Sequence, residues 1–201
     1  MKQLIAVIAA SLLVTGVYAE QTNVTSTTVN AGVPDNDATG LVSTQAVSGL
    51  FATIDSITVT LDISGGYNGD LYAYLLSPND TMIKLLDRVG GGNYGNTGFS
   101  ITLDDLGSHP SVQTYQGASP SYNGGGQLTG TWATSSGGLS SLVGTDGNGT
   151  WSLFVADLSA GNTSTLVSWG LTIATVPEPT SVALLGLGAA GMICQIRRRK
   201  A

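Results

Sequence analysis

The chain has 201 residues, of which 13 are acidic and 7 are basic, and its net charge at pH 7 is −6. Five basic residues lie near the two ends, so residues 20–176 carry twelve acidic groups, two basic groups and a net charge of −10. That charge disfavours nucleic acid and anionic membrane surfaces as partners, because both repel it. Residues 20–176 also contain no cysteine, which excludes a disulfide and a thiol nucleophile there.

The first residues have the pattern of an export signal. Lys2 is followed by an apolar run at residues 4–17, and a small-residue site ends at Ala19. This order predicts a signal peptide at residues 1–19, cleaved between Ala19 and Glu20. Residues 20–29 are rich in Thr, Asn and Ser, and we interpret them as a linker to a domain at residues 30–175.

Strictly alternating side chains predict β-strands in this domain. Ile57, Val59, Leu61 and Ile63 are apolar and the residues between them are polar, which is typical of a half-buried strand. Further strands are predicted at residues 71–76, 82–86, 99–103, 151–155 and 167–173. Glycine-rich turns separate these segments, because 24 of the 28 glycines lie in residues 20–176.

The middle of the domain is less regular than its two ends. Residues 104–130 are expected to form long loops with one short strand around Val112. No segment shows a helical period of useful length, so the pattern predicts an all-β domain, an antiparallel β-sandwich.

Two stretches of this domain resemble a known family. ISGGYNGDL at 63–71 is followed by LSPNDT at 76–81, and GTWSLFVAD at 149–157 is followed by LVSWGL at 166–171. With VPDN at 33–36, they resemble the P domain of proprotein convertases and of bacterial secreted proteases. The resemblance implies a jelly-roll sandwich of about eight strands. Where that family usually has a histidine this chain has Gly65, and the subtilisin-type catalytic domain that normally precedes a P domain is missing from this sequence.

Asp70 and Asp157 occupy signature positions of this match. One interpretation is that their carboxylates accept backbone N–H bonds and hold neighbouring loops. The other is a calcium site, because an acidic domain without disulfides suits oxygen-ligated cations. Both interpretations stay open from the sequence, and no other cofactor is expected.

The sequence does not predict an enzyme. Its single histidine, His109, lies in a loop before proline with no nucleophile motif beside it. Asp104 and Asp105 are adjacent, and on one strand they would point to opposite faces, so we interpret them as a polar strand end.

Aromatic residues in the glycine-rich central loops suggest a different role. Exposed aromatic rings in this region would stack on sugar rings, and the alternative is that Trp132 belongs to the core. The aromatic residues concerned are Tyr94, Tyr115, Tyr122 and Trp132.

The C-terminal segment, residues 176–201, has three parts. A Pro-Glu-Pro motif precedes an uncharged apolar run of 17 residues at 180–196, and four basic residues follow. As a helix the run spans about 26 Å, which predicts a single transmembrane helix with its basic end in the cytoplasm. The residues that carry the motif and the basic end are Pro177, Glu178, Pro179, Arg197, Arg198, Arg199 and Lys200.

This order resembles the PEP-CTERM sorting signal of Gram-negative bacteria. The resemblance implies export through the inner membrane, transient anchoring, and cleavage near the Pro-Glu-Pro motif by exosortase, a membrane protease. We therefore expect a non-enzymatic protein of the cell surface or extracellular matrix, with exopolysaccharide or a surface protein as a partner. Two alternatives are an accessory domain that docks onto a separate secreted protease and a carbohydrate-binding module.

Overall fold

The computed structural model describes residues 21–176. The predicted signal peptide, its cleavage site between Ala19 and Glu20, and the C-terminal segment from Pro177 onward, with its predicted transmembrane helix, lie outside the described residues. Across residues 21–176, no helix has the length and apolar character needed to cross a membrane.

The described residues form ten strands and only short helical segments, which confirms the all-β prediction. The strands are β1 Gln21–Val33, β2 Asp37–Val47, β3 Ile54–Gly65, β4 Leu71–Leu76, β5 Met82–Asp87, β6 Gly98–Leu103, β7 Ser121–Tyr122, β8 Leu128–Trp132, β9 Gly149–Asp157 and β10 Ser164–Thr175. The helical segments are Asn68–Asp70, Val89–Gly92, Val112–Ala118 and Leu139–Leu142.

The strands are arranged in two sheets. The six-stranded sheet has the order β1-β10-β3-β6-β8-β7, and the four-stranded sheet has the order β2-β9-β4-β5. The chain pairs with itself as nested hairpins, because β1 pairs with β10, β2 with β9, β3 with β6, and β4 with β5. The last two strands also pair with earlier neighbours, β10 with β3 and β9 with β4.

The apolar sides of the alternating strands meet in one core. In β3, Ile57, Val59, Leu61 and Ile63 are buried, as the period of two predicts. Both sheets contribute to a single cluster of buried side chains. Its largest fully buried members are Trp151, Trp169, Tyr115, Phe99, Ile54, Ile57, Leu61, Ile63, Leu71, Leu75, Leu85 and Leu86.

The expectation of a linker at residues 20–29 is wrong for residues 21–29. They form most of β1, which pairs with β10 from Gln21↔Thr175 to Val33↔Ser164. Their composition conceals this, because an edge strand with one solvent-exposed face gains its stability from backbone pairing and needs few large apolar side chains.

Two further expectations differ from the structure in the middle of the chain. The pairing of β6 with β8 is parallel, so the six-stranded sheet is not entirely antiparallel. Val112 begins a 3₁₀ helix, not a strand, because the Ser111 hydroxyl accepts the Gln113 N–H at 3.2 Å as an N-terminal cap. The strand β7 and the first three residues of β8 lie further along, inside residues 104–130, where mostly loop was expected.

Leu153 offers a test of this packing. Leu153→Ala removes a fully buried side chain of β9 and should lower the free energy of unfolding by about 2–5 kcal/mol. Val42→Ala on the adjacent strand β2 is the matched control, because Val42 is 60% exposed and its loss should cost about 0.5 kcal/mol or less. Urea unfolding of the two variants measures both values, and equal losses would contradict the assigned core.

Candidate functional site

The structure brings Asp70 and Asp157 together on adjacent chain segments. Asp70 ends the 3₁₀ turn Asn68–Asp70, and Asp157 is the last residue of β9. Leu71 pairs with Asp157 across the sheet, and the Leu158 N–H donates to the Asp70 carbonyl at 3.0 Å. Both side chains are buried, with 7% of Asp70 and none of Asp157 exposed.

The Asp157 carboxylate is only partly hydrogen-bonded. Its Oδ1 accepts the Ser159 N–H at 3.2 Å, whereas its buried Oδ2 has no partner in the described part of the chain. An unpartnered buried carboxylate oxygen costs stability, and native structures rarely contain one without a reason. The loop-holding interpretation therefore accounts for one oxygen of Asp157 and leaves the other unexplained.

Neighbouring charges add to the cost of ionising Asp157. Burial raises the pKa of this carboxyl above its usual value, the Ser159 hydrogen bond opposes the shift, and the Asp70 and Asp35 carboxylates raise the pKa further. Arg88 lies nearby, since its Nη2 donates to Ser159 Oγ at 3.2 Å and its Nε to the Gly69 carbonyl at 3.4 Å.

No ion pair of residues 21–176 includes Asp70 or Asp157. The same residues also hold no group of three or more His, Cys, Asp and Glu side chains arranged around a metal position. A cation at Asp70 and Asp157 would therefore need backbone carbonyls or water as its remaining oxygen ligands, which calcium accepts.

Sequence reasoning missed a buried polar centre next to this acidic pair. Asn68 is fully buried, its Oδ1 accepts the Gly98 N–H at 2.6 Å, and its Nδ2 donates to the Gly98 carbonyl and to Tyr115 Oη at 3.2 Å each. Tyr115 Oη in turn donates to Asn96 Oδ1 at 2.7 Å, and burial raises the Tyr115 pKa to about 12. Asn68 thus links three segments of the chain. It lies within the GYNGD stretch at 66–70, and that stretch was the signal in the sequence that could have indicated this polar centre.

Most of the central aromatic residues are part of the core and not of a surface. Tyr115 is fully buried, Trp132 is 5% exposed, and their rings pack edge to face with centroids 6.2 Å apart. Tyr94 packs against Tyr115 in the same way at 4.8 Å, and of the four residues only Tyr122 is exposed, at 41%. These four residues therefore do not form an aromatic platform for sugar rings, and the carbohydrate-binding alternative loses the observation that suggested it.

Asp104, Asp105 and His109 are loop residues. Asp104 Oδ1 accepts the Leu106 N–H at 2.9 Å, and Asp104 Oδ2 lies 3.4 Å from His109 Nε2. The Asp105 carboxylate accepts hydrogen bonds from the Thr134 N–H, the Thr134 hydroxyl and the Leu139 N–H, at 2.7–2.8 Å. Both carboxylates organise the turns after β6.

Gly65 departs from the family pattern for a geometric reason. Its φ is +75°, a left-handed conformation that strains other residues, and a Cβ at this position would lie 2.9 Å from the Thr163 carbonyl oxygen. The backbone of this chain is therefore built for glycine where the family usually has histidine.

Two family models match this chain. A family model described as the proprotein convertase P-domain matches residues 54–173, more than half of the chain, and the PEP-CTERM protein-sorting motif matches residues 175–199. The chain belongs to the proprotein convertase P-domain family and carries a PEP-CTERM motif directly after that domain. Both resemblances drawn from the sequence are confirmed.

One solved structure shows a similar fold. A crystal structure of the Aeromonas sobria serine protease in complex with the chaperone ORF2 aligns with a TM-score of 0.51 and 16% identity over 80% of this chain. A structure of the serine protease of Aeromonas sobria aligns with a TM-score of 0.47 and 16% identity over 78% of this chain. The chain spans only 28% and 27% of those two proteins. A search of curated proteins returns no match.

The Asp157 environment predicts a pH dependence. An aspartate whose pKa is raised in the folded state binds more protons folded than unfolded, so the free energy of unfolding falls as pH rises through the interval between the two pKa values. With a chelator present, Asp157→Asn should reduce this decline. The exposed Asp80→Asn, which removes the same charge, should retain it. Urea unfolding over a pH series measures both slopes, and identical slopes would refute the assignment to Asp157.

Proposed function

We propose that this protein is a non-enzymatic surface or extracellular-matrix protein that exosortase processes at its C-terminus. The observation that carries the proposal is the order of parts, a P-domain at residues 54–173 followed at once by a PEP-CTERM motif at 175–199. That motif indicates export and a C-terminal sorting or anchoring signal in Gram-negative bacteria. The P-domain is an accessory domain of its family and not a catalytic one.

In the proposed pathway, the chain is exported and its signal peptide is removed by cleavage between Ala19 and Glu20. The apolar run at residues 180–196 then holds it in the inner membrane, with Arg197 to Arg199 on the cytoplasmic side. Cleavage near the motif Pro177-Glu178-Pro179 releases the domain from that anchor. The motif begins almost directly after Thr175, the last residue of β10. This supports the order, because a cut near Pro177 leaves the described strands intact.

We also propose that the eight strands other than β7 and β8 form the jelly roll that the family resemblance implies. The nested pairing β1·β10, β2·β9, β3·β6 and β4·β5 supports this topology. In this view β7 and β8 are an addition to the open edge of β6.

The second candidate is an accessory domain for a separately encoded secreted protease. Membership of the P-domain family favours it, because the family takes its name from the convertases to which such domains belong. Co-purification of a protease with the mature domain from its native host would support this candidate over a free-standing matrix protein.

The mass of the native protein tests the sorting proposal. We expect intact mass spectrometry of material from the cell surface or medium to show a species that begins at Glu20 and ends near Pro177. A species in the inner membrane that still contains Arg197 to Lys200 would show that the C-terminal segment acts as an ordinary anchor and is not cleaved. Deletion of the exosortase gene in the same host should convert the first species into the second.

We further propose that Asp70 and Asp157 bind calcium. The unpartnered Asp157 Oδ2 and the mutual repulsion of the two carboxylates support this, since a divalent cation relieves both costs.

Calcium should therefore raise the melting temperature of the domain. The expected gain in the free energy of unfolding is about 2.7 kcal/mol when calcium is at a hundred times its dissociation constant. Asp157→Asn should abolish the gain and Asp80→Asn should retain it. A melting curve of the unsubstituted protein that is the same in calcium and in chelator would refute the site and favour the loop-holding role.

A further inference from the structure

One end of the domain is where the chain both enters and leaves. Gln21, the first residue of β1, pairs with Thr175, the last residue of β10, and Thr175 also pairs with Ile54 at the start of β3. We call the surface formed by these strand ends and the loops beside them the entry–exit end. Only residues 176–179 separate Thr175 from the apolar run at residue 180, which is at most about 18 Å of extended chain.

Exposed apolar side chains gather at this end. Scattered single exposures need no explanation, but here five of the eight large hydrophobic side chains that are exposed in residues 21–176 share one end. They are Phe51 at 88% exposed, Met82 at 57%, Leu106 at 47%, Val176 at 42% and Val143 at 41%.

Phe51, the most exposed of the five, is held in place by its loop. The Phe51 N–H donates to Gln21 Oε1 at 3.2 Å, and Gln21 Nε2 donates to the Gly49 carbonyl at 2.7 Å. On the other side, Asn148 accepts the Leu50 N–H and donates to the Leu50 carbonyl, at 3.0 Å each. The loop is thus fastened to β1 and to the loop before β9, while the Phe51 ring points into solvent.

The other four side chains are placed at the same end by their neighbours. The Gly144 N–H, next to Val143, donates to the Ile54 carbonyl at 2.8 Å. Met82 pairs with Leu76 where β4 ends. β6 runs toward the Ile54 end of β3, because Phe99 pairs with Ile63 and Leu103 with Val59, and Leu106 follows the end of β6 by three residues. Val176 follows β10 directly.

We propose that the entry–exit end is a lipid-facing surface. While the C-terminal run is held in the inner membrane, Phe51 and the apolar side chains around it enter the headgroup region of the bilayer. This rests on the proposed function, because the anchored tail is what brings the surface to the lipid. Aromatic and aliphatic side chains are favoured at this depth, and the short connection of residues 176–179 keeps them within reach.

The charges of the entry–exit end specify the kind of lipid. Asp55, Asp80 and Asp146 are exposed there, and none of the three is in an ion pair of the described chain. The basic residues of the domain lie elsewhere, since Lys84 is bonded to Asp87 and Arg88 lies beside Ser159. An anionic surface would therefore repel this end, and a zwitterionic one would admit it.

Site-specific fluorescence on the chain that retains its C-terminal segment tests the proposal. Cys194→Ala removes the sole cysteine, and Phe51→Cys then provides one site for an NBD label. Tyr122→Cys in the same background is the matched control. Tyr122 is also exposed but lies far from the entry–exit end. It is level with Leu166, about 30 Å along β10 from Thr175, as the successive strand pairs show: Tyr122↔Leu128, Leu128↔Phe99, Phe99↔Ile63 and Ile63↔Leu166.

Each labelled protein is reconstituted in phosphatidylcholine vesicles that contain nitroxide-labelled lipid, and vesicle flotation is measured alongside. We expect flotation of both proteins, several-fold stronger quenching at position 51 than at position 122, and a blue shift of the emission only at 51. Replacing part of the lipid with phosphatidylglycerol should weaken the quenching at 51, and high salt should restore it.

Three results would overturn the proposal in different ways. Flotation with equally weak quenching at both positions leaves the membrane anchor in place and refutes the lipid-facing surface alone. Loss of flotation refutes the anchored state itself, and with it both the proposed function and this inference. Quenching at 51 that appears only when exosortase is also present would assign the entry–exit end to a protein partner instead.

Discussion

The fold depends on the insertion of the last two strands between earlier ones. β10 pairs with β1 on one side and β3 on the other, and β9 lies between β2 and β4. Without residues 149–175, β1 and β2 lose the strands they pair with, and the buried rings of Trp151 and Trp169 are missing from the core. The domain therefore completes its two sheets only when the chain is available as far as Thr175.

This constraint gives the position of the sorting motif a physical meaning. The motif match begins at residue 175, where β10 ends, so the last structural element and the first element of the signal adjoin. Long-range pairing of this kind is slow to form. Distant segments must meet, at a cost in conformational entropy, before their hydrogen bonds can compensate for that cost. In the proposed pathway, an anchored tail holds the chain at the membrane during that time.

The two ends of the sandwich have different characters. The end with Asp70 and Asp157 contains buried carboxylates whose repulsion is only partly offset by hydrogen bonds. The entry–exit end has most of the exposed apolar side chains, led by Phe51. The proposed cation site and the proposed lipid-facing surface therefore belong to opposite ends of the domain, whose net charge is −10.

The sequence by itself determined the β class, the central strands and the C-terminal sorting motif. Alternation in β3 and β9 and the order of the C-terminal parts are local patterns, and local patterns need no knowledge of the fold. Only the tertiary structure decided that residues 21–29 are a strand, that β6 and β8 are parallel, and that Tyr115 and Trp132 are buried. Each of these depends on a partner far along the chain, Thr175 for Gln21 and Asn68 for Tyr115, and such pairings leave no periodic trace in the sequence.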